Sequence, residues 1–342
     1  MKMGKMLQAL ACAAGAAWAV TLPIQAHAGF DDNKPISYTV DGASATGYFK
    51  VMIEAINGIV REVYPGSDAT YKPGSPAGGV LNIALGKSDI VFTASAPEIE
   101  YAVEGKAPFQ QPLKGKFSFV ALMHDGLTMH NVMTKDWADR NGIKSFSDIA
   151  RKKPLMRLAV NQPATLQSTV TMYQTVFDIF GISEADVTKG QNVIRGNSNA
   201  GFEALRDGKV DVFINGGFVP TAELTDIARS RPLEWIEGDP AKMKQGADRW
   251  HYDLFTVKKG VYPFVTKDET TWTEWNALLA GSHVSEETVY KILKAMVTHQ
   301  DRMRAIHPSM AQFSAQTASR NPTGLPYHPG AARLYRELGI VK

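Results

Sequence analysis

Ile36-Ser37-Tyr38-Thr39-Val40 alternates apolar and polar side chains with period two, and Asp41–Gly47 follows as a turn of small residues. From there Phe49, Met52, Ile53, Ile56, Ile59, Val60 and Val63 recur at helical spacing. A period of two predicts a strand and a period of 3.6 predicts an amphipathic helix. Tyr64-Pro65-Gly66-Ser67 ends that helix. Ala69-Thr70-Tyr71-Lys72 is a second strand, Val80–Leu85 a short helix stopped by Gly86, and Ile90–Thr93 a third strand. The order βαβαβ implies a mostly parallel sheet with helices on its faces.

The same logic returns downstream. Arg157–Val160 reads as a strand. Val170, Tyr173, Val176, Phe177 and Phe180 give one apolar helix face closed by Gly181. Phe202–Leu205 belongs to a helix ended by Asp207-Gly208, Val210–Ile214 to a buried strand, and Thr221–Ala228 to a further helix. Ser285 caps a long helix with Glu286 and Glu287 in its first turn. Two α/β units are therefore expected.

Four turns of small polar residues link strands to helices in these units. They are Gly42–Gly47, Gly74–Gly79, Asn161–Ser168 and Asn215-Gly216-Gly217. In open α/β sheets such turns gather at the carboxyl ends of strands, where ligands bind. Each offers backbone N–H groups and a helix N-terminus to an anion. Ser44, Thr46, Ser75, Thr165 and Ser168 add hydroxyls. Tyr48, Phe92, Tyr173 and Phe218 are the aromatic candidates, with Tyr48 beside the first turn.

The 342 residues suit two domains of roughly 150 residues each. Hydrophobic residues make up 44% and charged residues 21%, which argues against bulk disorder. Residues 1–28 hold Lys2, Lys5 and no acid, and these two lysines account for most of the net charge of +3. A near-neutral chain without a basic tract does not suit nucleic acid. Lys2 and Lys5, the apolar run Met6–Ala19 and the small-residue site Ala26-His27-Ala28 predict a secretory signal peptide at 1–28. The one cysteine, Cys12, lies inside it, so the mature chain holds no thiol. A periplasmic protein is expected, and no later segment is apolar enough to span a membrane.

Sequence motifs for catalysis are missing. Gly42-Ala43-Ser44-Ala45 is followed by Thr46, which breaks G-x-S-x-G. There is no phosphate-binding G-x-x-x-x-G-K and no H-E-x-x-H. The seven histidines after residue 28 never pair at i, i+4, and His124 and His130 stand six apart. No cofactor and no metal are expected. A carboxylate pair assembled from distant positions stays open as the route to a periplasmic enzyme.

The tail Leu325-Pro326-Tyr327-His328-Pro329-Gly330-Ala331-Ala332-Arg333-Leu334-Tyr335-Arg336-Glu337-Leu338-Gly339 resembles the terminal motif of TAXI proteins, the solute-binding subunits of one class of TRAP transporters. Gly42–Phe49, Gly74-Ser75 with Asn82, Ile143–Ala150, Gly208–Asp211 and Gly260–Pro263 match further family segments in order. The resemblance implies a two-lobed type II periplasmic-binding-protein fold. Lobe one would be residues 29–127 and 253–342, and lobe two 128–252, with crossovers near 127–133 and 251–257. It also implies a small organic or amino acid carboxylate as ligand and a membrane permease as partner. The ligand would be gripped by Ser44, Thr46, Gly47, Tyr48, Ser75, Asn82, Thr93, Ala94 and Ser95 from lobe one. Lobe two would add Thr165, Gln167, Ser168, Asn215 and Gly216, with Tyr262 as a further candidate. The usual Gly-Ser-Gly-Thr of the second lobe is replaced by Ala164–Ser168. Arg157 and Arg195 lie near lobe-two strand ends and would compete with a purely backbone-and-hydroxyl grip. The subunit of an ABC-type importer is the alternative.

Overall fold

In the computed structural model the described residues are 30–31, 33–43, 48–163 and 168–342. The expected signal peptide and Cys12 lie outside them. Strand β1 (Ser37–Ala43) pairs in parallel with β2 (Asp68–Pro73) and β3 (Ile90–Ala94). Helices α1 (Tyr48–Val63), α2 (Pro76–Ala84) and α3 (Ala96–Glu104) connect and follow them. Helix α2 starts earlier than its apolar spacing predicts. Ser75 is its N-cap, accepting from the Gly78 amide at 3.2 Å, and Pro76 occupies the first turn. Gly79 lies against β1: a Cβ there would stand 2.6 Å from Gly42 Cα, so only glycine lets helix and strand meet so closely.

The chain then leaves along β4 (Phe117–Thr134), a single strand of 18 residues. Helices α4 (Lys135–Asn141) and α5 (Phe146–Lys152) lead to β5 (Leu158–Val160). Helices α6 (Ser168–Phe180) and α7 (Glu184–Val187), strand β6 (Val193–Arg195), helix α8 (Ser198–Arg206) and strand β7 (Val212–Gly217) follow. Strands β5, β6 and β7 run parallel. Beyond them come α9 (Ala222–Ser230), β8 (Leu233–Trp235), α10 (Pro240–Trp250) and β9 (Asp253–Val257). The chain returns along β10 (Glu269–Gly281), then α11 (Glu286–Thr298), α12 (Gln300–Ile306), α13 (Ala315–Ala318) and α14 (Pro329–Glu337).

The sheet order is β2-β1-β3-β10-β4-β7-β5-β6, with β8 on β4 and β9 on β10. Each end of this curled sheet is parallel, and the antiparallel pair β4 and β10 joins the two ends. Along β4, Phe117–Thr128 pairs with β10, and Thr128–Met133 pairs with β7. The fold is thus two-lobed, as expected.

Among the described residues, packed cores match this division. Val80, Ile83, Val91, Phe119, Leu122 and Leu279 fill half one. Met129, Met133, Trp137, Tyr173, Phe177 and Trp272 fill one face of half two. Val132, Phe202, Phe213, Val257 and Tyr262 fill its other face. Met129 and Met133 face one way from β4 and Val132 the other, the period-two rule of a strand covered on both sides. Val257, Tyr262, Val265 and Trp272 pack into half two, so the second crossover is β10 and not residues 251–257.

Candidate ligand cleft

A cavity of about 770 Å³ opens between the halves. Half one contributes Tyr48 and Phe49 from the start of α1, and His307–Ser309 from the turn after α12. Gly126, Leu127 and Thr128 of β4 form its base. Half two contributes Asn197–Asn199 and Phe202 of α8, Gly216–Phe218 at the end of β7, and residues 219–223 leading into α9. The wall at β7 depends on Gly216. A Cβ there would stand 2.3 Å from Thr169 Cγ2 and 3.4 Å from Leu127 Cγ. Glycine therefore lets the first turn of α6 close onto β7 and β4.

An aromatic cluster crosses the cleft. The Tyr48 ring lies 4.6 Å from that of Phe218 and 4.5 Å from that of His307, between centroids. Phe218 belongs to half two, while Tyr48 and His307 belong to half one. The Tyr48 hydroxyl is 2.7 Å from Ser309 Oγ, and burial pushes its pKa well above the ordinary range. Behind this wall stands His124, 4% exposed, with Phe218, Tyr48 and Phe49 at 5.3, 5.6 and 6.1 Å. Neither of its ring nitrogens has a hydrogen-bond partner. Burial, with His307 nearby, holds its pKa down to about 3, so the imidazole is neutral.

His124 pairs in register with Asn276 of β10, whose Oδ1 is also unpartnered. Across a register irregularity in β10, Glu274 accepts from the Ser168 hydroxyl through Oε1 and has Ser95 and Asn276 beside it. Glu98 of α3 accepts from the Ser95 hydroxyl and from the Ser95 amide at 3.2 Å. Burial raises Glu98 to about 7. Burial, followed by the proximity of Glu98, raises Glu274 well above the carboxylate range. Ser95 and Glu98 come from half one, Ser168 from half two, and Glu274 from the joining strand, so this buried polar cluster sits at the junction.

The structure gathers some of the expected residues and disperses others. Tyr48 and Gly216 line the cavity, and Ser95 and Ser168 belong to the buried polar cluster, bonded to Glu98 and Glu274. Ala94 is buried at the end of β3, paired with Ala277. Asn215 lies just under the cavity wall, its Oδ1 accepting from the Gly216 amide at 2.9 Å. Asn82 donates to Asp41 at 2.7 Å and Ser75 caps α2, so both serve the packing of α2 on β1. Tyr262 is fully buried in half two, its hydroxyl 2.8 Å from His130 Nε2 and accepting from the Thr221 amide at 2.8 Å. Ser44, Thr46, Gly47, Thr165 and Gln167 lie outside the described residues, as does the side chain of Thr93. Arg157 is bound to Asp211, at 2.6 and 2.9 Å, and to the Gly208 carbonyl at 2.7 Å. Arg195 pairs with Glu184 and reaches the Tyr173 hydroxyl at 3.2 Å.

Sequence reasoning missed Glu98, Glu274, Asn276, His307 and the position of His124. The acids of α3 and β10 stand in segments that read as ordinary core or surface. Their signal was Glu274 and Asn276 flanked by apolar residues in Trp272–Leu279, a pattern with no use in a dry strand. Among the described residues no group of three His, Cys, Asp or Glu could hold a metal ion, and no helix is long and apolar enough to cross a membrane.

The profile described as the NMT1-like family matches residues 42–339. MatC from Rhodopseudomonas palustris with bound malate superposes with a TM-score of 0.52 at 15% identity, covering 89% of this chain and 97% of that one. A binding protein component of an ABC phosphonate transporter from Pseudomonas aeruginosa gives 0.49 at 13% identity, covering 90% and 96%. PhnD1 from Prochlorococcus marinus in complex with methylphosphonate gives 0.49 at 12%, covering 89% and 99%.

Proposed function

Starting from the fact that the chain belongs to the NMT1-like family, we propose that it is the extracytoplasmic solute receptor of a transporter. The observation that carries this reading is the 770 Å³ cavity between two halves that, among the described residues, are linked in the sheet by the strand pair β4 and β10. Such a pair is a hinge. A solute touching both halves stabilises the closed form by its greater affinity for that form. The closed form then docks on a membrane permease and releases its cargo there, with no chemical change to it.

The tail motif supports a TAXI-type TRAP subunit in the periplasm. Its residues tie α14 to the rest of half one. His328 caps α14 and its Nε2 faces the Val284 carbonyl at 3.1 Å. The Tyr335 hydroxyl donates to the Val120 carbonyl at 3.0 Å. In this reading the cargo is a small organic or amino acid carboxylate, its acid group held by helix N-termini and hydroxyls. The engagement of Arg157 and Arg195 within half two supports a grip without a salt bridge.

The test is mass spectrometry of small molecules released from freshly purified protein, followed by a thermal-shift screen with what is found. A ligand at 100 times its Kd is expected to add about 2.7 kcal/mol to stability. A molecule that the protein converts to another product would replace the receptor by an enzyme.

A further inference from the structure

We propose that the cavity selects a mono-acid whose body is a planar aromatic ring, and not an aliphatic di-acid. This rests on the receptor reading above and narrows its ligand class.

The first argument is the make-up of the wall. Tyr48 and Phe49 of half one and Phe202, Phe218 and Phe255 of half two line the same cavity. A flat ring held between them meets rings of both halves. Edge-to-face and offset contacts between rings add to what burial alone provides, and a saturated ring or chain cannot make them. Contacts to both halves are also the ones that favour the closed form. A volume of about 770 Å³ lies in the range of sites that enclose ring-bearing molecules.

The second argument is that the rings are already held in place. Phe202 stacks on the buried Phe213 at 4.9 Å and 26°. Phe49 stacks on His124 at 6.1 Å and 29°, and its ring lies 6.1 Å from that of Phe92. Rings supported in this way lose little freedom when a solute arrives, so more of the contact energy appears as affinity.

The third argument is charge and hydrogen bonding. Among the described residues that line the cavity there is no lysine or arginine, and the acid is Glu223. Segments 44–47 and 164–167 contain no lysine or arginine either. Hydroxyl protons of the wall are committed within it. Thr128 donates to the Gly126 carbonyl at 3.2 Å, Ser198 to the Gly216 carbonyl at 2.6 Å, and Thr221 to Glu223. The hydroxyls of Tyr48 and Ser309 pair with each other. A second acid group placed against this wall would lose its water and gain no countercharge and none of those protons. An aromatic body needs neither, which leaves a single acid group for the backbone N–H groups of the receptor reading.

Calorimetry with matched pairs tests the inference: benzoate against cyclohexanecarboxylate, and 3-phenylpropanoate against 3-cyclohexylpropanoate, with succinate and L-malate beside them. The aromatic member of a pair is expected to bind at least tenfold tighter than its saturated partner and than either di-acid. Phe255→Leu, checked for folding by circular dichroism, keeps an apolar side chain and is expected to cut the preference within a pair at least threefold. If that variant does not fold, Phe49→Leu makes the same change in the other half. A saturated ring or a di-acid that binds as tightly as the aromatic acid overturns the inference. So does a preference that the folded variant leaves intact, and so does a released natural solute without an aromatic ring. The receptor reading survives all three results. A released aromatic mono-acid upholds the inference even where no member of the panel binds. No released solute and no binding across the panel overturn both.

Discussion

Glu98 carries a testable linkage. Its carboxyl is held near 7 by burial, against about 4.5 ordinarily. The folded chain therefore keeps a proton that the unfolded chain gives up. The stability this confers is full below pH 4.5 and is lost as the pH rises through 7. Glu98→Gln removes the titration and retains the capping geometry. Relative to this variant, the natural protein should lose stability as the pH rises through about 7, measured by urea unfolding at several pH values. Parallel curves would remove the shift. His124 works with the opposite sign: its stability contribution is lost as the pH falls from 6.5 toward 3. It affects both proteins equally and cancels in the comparison.

Helix pairing offers a second prediction. Gly330 in α14 lies against the first turn of α11, where a Cβ would come within 2.2 Å of the Glu286 carbonyl oxygen. Gly330→Ala must push the helices apart, and a cost of about 1–3 kcal/mol is expected in thermal or urea unfolding. A neutral substitution would mean that the tail motif has another purpose. The same residues show what could be read in advance. Strands β1, β2 and β3, helices α1 and α6, and helix α11 with its cap at Ser285 followed directly from periodicity and capping chemistry. Strand β10 did not, because Trp272–Leu279 is apolar on both faces with Glu274 and Asn276 set inside it, which matches neither template. The early start of α2 was hidden because Pro76-Ala77-Gly78-Gly79 has turn composition, and only contact with Gly42 makes it a helix. The site was legible only where it coincides with a strand-to-helix turn, as at Tyr48, Ser95, Ser168 and Gly216. Its acids come from a helix interior and a strand middle, and long-range pairing alone brings them together.

On the proposed receptor mechanism, the balance between open and closed forms depends on contacts made across the cleft. Phe218 is the half-two ring packed on Tyr48, His124 and His307 of half one. Aromatic pairs contribute about 0.5–1.5 kcal/mol each beyond burial. Phe218→Ala is expected to shift the unliganded protein toward the open form, seen as a larger radius of gyration in small-angle X-ray scattering. It should also weaken ligand binding roughly tenfold, because the competent population falls. An unchanged scattering curve would show that other contacts hold the halves. The route of the chain has one more consequence. Half two is built from the uninterrupted middle, between β4 and β10, whereas half one needs β10, α11 and α14 to complete the sheet begun by β1, β2 and β3. During synthesis or passage across a membrane, the central segment can therefore settle first. The leading portion must wait, with its apolar edge uncovered, until the trailing portion emerges, and a helper that shields nascent chains would find its target there.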